Sequence, residues 1–207
     1  MLEVVIAMVV VCTGLLAVAL LVATSASGSE RSRYMSMASS LASEKIEDLM
    51  RYPSADAQVT VPAGSTCAGV TEAGGVSCVG SLTLPVSQSI TAGATTSTVY
   101  YYDDVYISAS AGQETNGGAI TTVTQTAAGY CVFNHQPNGT ASETCGATAP
   151  ALSGSDLLTF HRSWIIESPV IINGNTINGI RRITVWVKLM NSYENPPVTF
   201  QVSIVRP

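Results

Sequence analysis

The chain has 207 residues, of which 46% are apolar and 11% charged, and its 9 basic and 14 acidic side chains give a net charge of −5. From residue 52 to residue 161 it contains seven acidic side chains and no lysine or arginine. Because phosphate binding requires cationic side chains, this distribution argues against nucleic acid as a ligand of that region.

The N-terminal segment carries no charge from Val4 to Ala23 and is interrupted in apolarity only by Thr13 and Gly14. At ~1.5 Å rise per residue, a helix of this length measures about 30 Å, which is enough to cross the hydrocarbon of a bilayer. The pattern predicts that residues 1–24 form an apolar half-helix that lies outside water.

Glu3 stands at the start of this apolar segment, and the first basic residue is Arg31. A carboxylate at this depth is costly unless it reaches the interface or meets a cation. One interpretation is a side chain that extends to the interface from the helix end. The other is that its partner belongs to a second copy of the chain, which makes Glu3 a candidate assembly residue.

Residues 25–52 continue the helix with an amphipathic pattern. Met35, Ala38, Ala42, Ile46 and Leu49 recur at intervals of three and four and form one apolar stripe. Pro53 disfavours helical geometry in the residue before it and predicts the helix end. Residues 1–52 would then form one rod of about 75 Å. The face opposite the stripe is charged and carries Glu30, Arg31, Arg33, Glu44, Lys45, Glu47, Asp48 and Arg51.

The apolar start LEVVIAMVVVCTGLLAVALL and the amphipathic end LASEKIEDLMRYP together resemble the mature N-terminus of a type IV pilin, and most closely the branch of minor pilins and type II secretion pseudopilins. In that family the glutamate usually lies two residues further from the mature terminus. The resemblance implies that Glu3 neutralises the α-amine of an adjacent subunit. It also implies a homopolymer built by pilus assembly machinery, with subunits held in the cytoplasmic membrane before assembly and in an extracellular filament on the bacterial cell surface afterwards.

Thr13 and Gly14 are candidates for helix flexibility. A glycine in the middle of a helix costs ~1 kcal/mol relative to alanine, and pilin filaments commonly lose helicity near this depth. We expect residues from about Thr13 to Ala19 to unwind on assembly. The alternative is that the small residue permits close helix packing.

Residues 53–207 are predicted to form one β-rich extracellular head that contains disulfides, so the fold class is α+β. Its four cysteines are Cys67, Cys78, Cys131 and Cys145, an even number in a domain that should be exported. Three pairings are possible, and we favour 67 with 78 and 131 with 145. No cysteine pair has zinc-knuckle spacing, and no CxxCH motif is present for haem, so we expect no metal and no cofactor.

Strand signals in the head are strongest near its end. Residues 157–167, 181–189 and 198–205 have strand composition, and Asn173-Gly174 and Asn178-Gly179 supply turns between the first two of these. Earlier strands are expected at 58–61, 81–86, 95–110, 119–125 and 129–133, and a loop at 134–155. An antiparallel sheet of these strands needs a cover, and the apolar stripe of the helix predicts that its second half packs there.

Other side chains give weaker signals. His135 and His161 are the only histidines and no GxSxG motif occurs, so we expect no enzyme. Asp103 and Asp104, with Glu114, could hold calcium, but a solvated acidic edge is favoured because adjacent strand residues point to opposite faces. We interpret Tyr100, Tyr101 and Tyr102 as strand packing. Asn138 begins a glycosylation sequon, and O-linked sugar is equally plausible.

Three functions compete. The first is a structural subunit that polymerises through its helix into a type IV pilus. The second is a minor pilin or a type II secretion pseudopilin. The third is a single-pass anchored β domain that binds a ligand and never polymerises.

Overall fold

A computed structural model describes residues 2–62, 64–69, 87–92, 95–108, 120–135, 141–148, 157–172, 175–190 and 197–207. One long N-terminal helix packs against a large antiparallel sheet. The predicted α+β class is therefore confirmed.

Helix α1 runs from Leu2 to Arg51 without a break, and Pro53 follows two residues later. Its second half buries the predicted stripe, with Ala38 and Ala42 fully covered and Leu49 1% exposed. Lys45 departs from the prediction, because it is 9% exposed and lies on the covered side of the helix instead of the charged side.

The described strands of the head form mainly one sheet. Its order is β12-β11-β8-β4-β5-β6-β7, with β1 pairing β8 beside β4, and all pairs are antiparallel. Two hairpins, β2-β3 and β9-β10, stand beside it. The strands are β1 (Cys67–Gly69), β2 (Ser87–Ala92), β3 (Thr95–Tyr100), β4 (Tyr102–Ser108), β5 (Ile120–Thr126), β6 (Gly129–His135), β7 (Ala141–Gly146), β8 (Leu157–Glu167), β9 (Val170–Ile172), β10 (Asn175–Ile177), β11 (Arg181–Leu189) and β12 (Thr199–Arg206).

Several local expectations differ from the structure. The strand expected at 58–61 is wrong: Ala57–Val59 form a 3-10 turn, because the Asp56 carboxylate accepts a hydrogen bond from the backbone N–H of Gln58 at 2.8 Å. The loop expected at 134–155 contains β7, and β2 was not expected. The strand expected at 81–86 lies outside the described residues.

The core lies between α1 and one face of the sheet. Helix α1 contacts β11 and β12, and side chains that alternate along β8 and β11 project toward it. Phe160 and Trp164 from β8 and Val185 and Val187 from β11 are at most 1% exposed. This packing fixes the second half of the helix, and the first half projects beyond the head.

Candidate functional site: the exposed helix and the helix–sheet cleft

The first half of α1 exposes its apolar side chains. Among the large apolar side chains that the structure describes here, the exposed fractions range from 55% at Ile6 to 71% at Leu20. By length and composition this helix can cross a membrane, and the apolar part is not buried within the chain. Such a surface is compatible with membrane anchoring, since apolar area of this extent is unfavourable in water.

The candidate assembly residue, Glu3, and the two candidate residues for helix flexibility, Thr13 and Gly14, all lie within this exposed half. Glu3 is exposed, and no cation lies within ion-pair distance of it among the described residues. Thr13 donates its hydroxyl hydrogen to a carbonyl oxygen of the preceding turn, that of Val9 or Val10, each at 3.0 Å. A Cβ built on Gly14 would meet no atom within 4 Å, so nothing in the single chain requires glycine there.

A buried ion cluster joins the second half of α1 to the sheet. Asp103 of β4 is 1% exposed, and its two carboxylate oxygens accept hydrogen bonds from Arg162 of β8 at 2.6 and 2.9 Å. The Lys45 ammonium lies 3.2 Å from the same carboxylate and 4.1 Å from the centre of the Trp164 ring. Arg162 also donates to the carbonyl oxygen of Leu41 at 3.3 Å. Helix and sheet are therefore joined by charge-assisted bonds as well as by apolar contact.

The electrostatics of this cluster keep Asp103 and Arg162 charged. Burial alone raises the pKa of Asp103, but Lys45 and Arg162 outweigh that effect, so the pKa lies below its ordinary value. Burial alone lowers the pKa of Arg162, yet Asp103 beside it makes the net change a rise. The expectation of a solvated acidic edge is thus wrong for Asp103, because two cations hold its carboxylate inside the protein.

Asp104, the next residue, points to the opposite face of the sheet. Its carboxylate lies 2.7 Å from Nδ1 of His161, and both side chains are partly exposed. The Tyr102 ring lies beside the imidazole, with ring centres 5.5 Å apart. The alternation expected for adjacent strand residues therefore separates Asp103 from Asp104, and each is engaged by a different partner.

A cleft of about 570 Å³ opens next to the ion cluster, between the charged side of α1 and strands β3 to β6. Its walls combine charged, hydroxyl-bearing and aromatic side chains. They include Glu44, Lys45, Glu47, Asp48, Arg51, Tyr52, Thr98, Tyr100, Asp103, Thr122, Thr124, Thr126, Phe133, Arg162 and Trp164. Within the described part of the chain, Trp164 is 1% exposed and its indole N–H has no hydrogen-bond acceptor.

The cysteine predictions have separate outcomes. Cys131 of β6 and Cys145 of β7 form the predicted disulfide across adjacent strands. Cys67 is disulfide-bonded, and its expected partner Cys78 lies outside the described residues. Cys12 is free and exposed on the apolar half-helix. Asn138 and Glu114 also lie outside the described residues.

The sequence did not predict the ion cluster. Lys45, Asp103 and Arg162 are separated by long stretches of chain, and each was assigned to a solvated or unspecified position. One signal was available: Arg162 interrupts the apolar alternation of β8 between Phe160 and Trp164, and a charge at a core-facing strand position implies a buried partner.

We compared the chain with protein-family models, with curated proteins and with solved structures, and found no match in any of the three.

Proposed function

We propose that this chain is a structural subunit of a type IV pilus-like filament, with its apolar half-helix packed among the same segments of other copies. The observation that carries the proposal is the combination of an exposed apolar half-helix with a second half that is fixed to a folded head. The resemblance of residues 1–53 to type IV pilins supports it.

Energetics favour two environments for the apolar half. Each large apolar side chain gains ~1.5–3 kcal/mol on full burial, so the segment as a whole favours leaving water by tens of kcal/mol. A bilayer and a bundle of identical helices both supply that burial, and transfer between them is nearly neutral in hydrophobic energy. Specific contacts must therefore select the bundle, and a head-to-tail repeat that does not close produces a filament.

Glu3 is the side chain that selects the register in this proposal. A carboxylate inside an apolar bundle is stabilised only when a cation of a neighbouring copy lies beside it. The subunit would wait in the cytoplasmic membrane and then join a filament at the bacterial cell surface. An assembly motor supplies the work of extraction, as in the pilins that the helix resembles.

Substitution at Glu3 tests the proposal. We expect Glu3→Ala to abolish filaments while the protein stays in the membrane at normal abundance. Glu30→Ala is the matched control, because Glu30 is an exposed carboxylate on the same helix outside the apolar half, and it should assemble normally. Negative-stain microscopy of sheared surface material, with membrane fractions probed for the subunit, gives both results. Normal fibres from Glu3→Ala would contradict the proposed role of the carboxylate.

A minor subunit or a secretion pseudopilin is the second candidate, since the N-terminal helix resembles that branch most. The same micrographs separate the two roles. Long filaments composed mainly of this chain indicate a major subunit, whereas short or rare filaments that contain few copies indicate a minor one. A protein that stays single in the membrane, with function unchanged by Glu3→Ala, would instead be an anchored binding domain.

A further inference from the structure

The two outer edges of the large sheet, formed by β7 and β12, have no strand partner on their open side among the described residues. Strand β12 pairs with β11 alone, and β7 pairs with β6 alone. Edge strands commonly carry a lysine, a proline or a bulge that prevents pairing with another chain. From Thr199 to Val205, β12 contains no charged residue and no proline, and β7 contains one charge, Glu143. Both edges are therefore suited to pair with a strand of another chain.

The directions of the two edge strands fit a polar repeat. Seven strands lie on the path from β12 to β7, and each is antiparallel to the next. Strands β12 and β7 therefore run in the same direction. In a filament, one rotation and one rise relate each subunit to the next, so neighbouring heads keep the same direction and contact each other through unlike surfaces. An edge contact in such a repeat joins β7 of one copy to β12 of the next, in parallel.

Backbone hydrogen bonding leaves alternate residues of β12 open at the edge. The N–H of Leu189 donates to the carbonyl oxygen of Val198 at 3.0 Å, and these two residues lie opposite each other, one step beyond the pair of Lys188 and Thr199. Because bonded and non-bonded pairs alternate in an antiparallel ladder, the even-numbered residues of β12 bond to β11. The N–H and C=O groups of the odd-numbered residues then point to the open edge.

Strand β7 shows the same alternation. Cys131 and Cys145 lie opposite each other with their Cα atoms 4.1 Å apart. This is the short spacing of a non-bonded antiparallel pair, which is about 4.5 Å, against about 5.5 Å for a bonded pair. Ser142 and Thr144 therefore bond to β6. The N–H and C=O groups of Glu143 and its odd-numbered neighbours point to the open edge.

The two sets of open bonding groups match the geometry of a parallel pair. On β12 they belong to residues whose side chains face away from α1, because the alternate residues Phe200 and Val202 pack against the core. On β7 they belong to residues on the helix side, because Glu143 lies opposite Phe133, which lines the cleft. In a parallel pair, each bonding residue contacts the two residues that flank the one opposite, so the bonding residues of the two strands point to opposite faces. Strands β7 and β12 meet this condition.

We propose that β7 of one copy pairs in parallel with β12 of the next copy, so that the sheet continues from head to head along the filament. The charges at the two edges are opposite in sign, Glu143 on β7 and Arg206 on β12, so the contact brings no like charges together. Full overlap of the 6-residue β7 with the 8-residue β12 in this phase places Thr144 opposite Ser203. The inference rests on the proposed filament, because the polar repeat is what brings unlike edges together.

Disulfide cross-linking between heads tests the proposal. Thr144 is exposed on the face of the sheet away from α1, as are Gln201, Ser203 and Val205 on β12. Adjacent strands lie about 4.8 Å apart, within the ~4.4–6.8 Å Cα spacing of a disulfide. In a Cys12→Ala background, which lacks the free thiol, Thr144→Cys is combined with Ser203→Cys, or with Gln201→Cys or Val205→Cys to cover a slip of the register. We expect oxidised fibres of at least one double variant to give a ladder of cross-linked oligomers on a non-reducing gel.

Two controls separate the edge contact from chance collision. Thr144→Cys with Lys188→Cys places the second thiol at an exposed position one strand in from the edge, and it should give no ladder. Gln201→Pro removes an N–H at the open edge without breaking a bond to β11, and it should lower the fibre yield about fivefold, the equivalent of one hydrogen bond. Gln201→Ala keeps that N–H and should assemble normally.

The outcomes distinguish this inference from the filament itself. Fibres that give no ladder with any of the three pairs, or an equal ladder from the Lys188→Cys control, would overturn the edge pairing and leave the filament standing. Efficient dimers from Ser203→Cys alone would mean that like edges meet, which also overturns it. If the original protein forms no fibres, the filament proposal fails and the edge pairing fails with it.

Discussion

Removal of the Asp103 charge tests the account of how the helix is held on the sheet. In Asp103→Asn, Arg162 at 3% exposure and Lys45 at 9% exposure lose their shared counter-charge. Breaking a buried pair of this kind costs ~3–5 kcal/mol. Lys45 keeps Asp48 at 3.6 Å, and Arg162 keeps Glu44 at 3.9 Å, so we expect the lower end of that range. For a chain of this size, a loss of about 3 kcal/mol lowers the melting temperature by ~6–12 °C.

Asp104→Asn is the matched control for this experiment. Asp104 is the neighbouring carboxylate on the other face, and its partner His161 is partly exposed. Exposed pairs contribute ~0–1 kcal/mol, so this variant should melt within a few degrees of the original protein. Thermal unfolding of the full chain in micelles, followed by near-ultraviolet circular dichroism, gives both values. Equal losses in the two variants would refute the buried cluster as the element that secures the helix.

Three further results are expected. Because the pKa of Asp103 is depressed in the folded state, the contribution of Asp103 to stability is present above about pH 4 and is lost as the pH falls through the folded pKa. The melting temperature of Asp103→Asn should therefore change less with pH below about pH 4 than that of the original protein. Cys145→Ser opens the Cys131–Cys145 disulfide at the β7 edge and should cost up to ~3 kcal/mol, with faster amide exchange in β6 and β7 and unchanged exchange in the helix. Gly69 has a φ of +135°, and in Gly69→Ala the new Cβ would lie 2.2 Å from the Trp164 carbonyl oxygen. Gly64 also has a positive φ, +83°, but in Gly64→Ala the Cβ would meet no atom within 4 Å. In denaturant unfolding we therefore expect Gly69→Ala to be less stable than Gly64→Ala by at least ~1–3 kcal/mol.

The sequence predicted the elements that have strong local signals. The apolar half-helix, the stripe from Met35 to Leu49, the helix end before Pro53 and the strands near 157–167 and 181–189 all follow from periodicity and chain stiffness. The Cys131–Cys145 bond followed from the even cysteine count and the short spacing. These features depend on neighbouring residues, which a single sequence shows directly.

The parts that were missed depend on distant residues. Ser87–Ala92 and Ala141–Gly146 are rich in serine, threonine and alanine and become strands because partner strands lie beside them. Lys45 was assigned to the charged side of the helix, but Asp103 and Trp164 draw it into the interface. The cleft exists because the helix packs on β11 and β12 and makes few contacts with β5 and β6. No local pattern carries that information.

The strands that hold the helix are synthesised long after the helix itself. Helix α1 contacts β11 and β12, and Arg206 in β12 donates to the carbonyl oxygens of Met50 and Tyr52 at the helix end. A ribosome adding ~5–20 residues per second needs roughly 8–30 s to travel from Arg51 to Arg206. Until the end of that interval, the sheet that covers the stripe on the helix is incomplete. A nascent chain would therefore benefit from a chaperone or a lipid surface that shelters this stripe until β12 emerges.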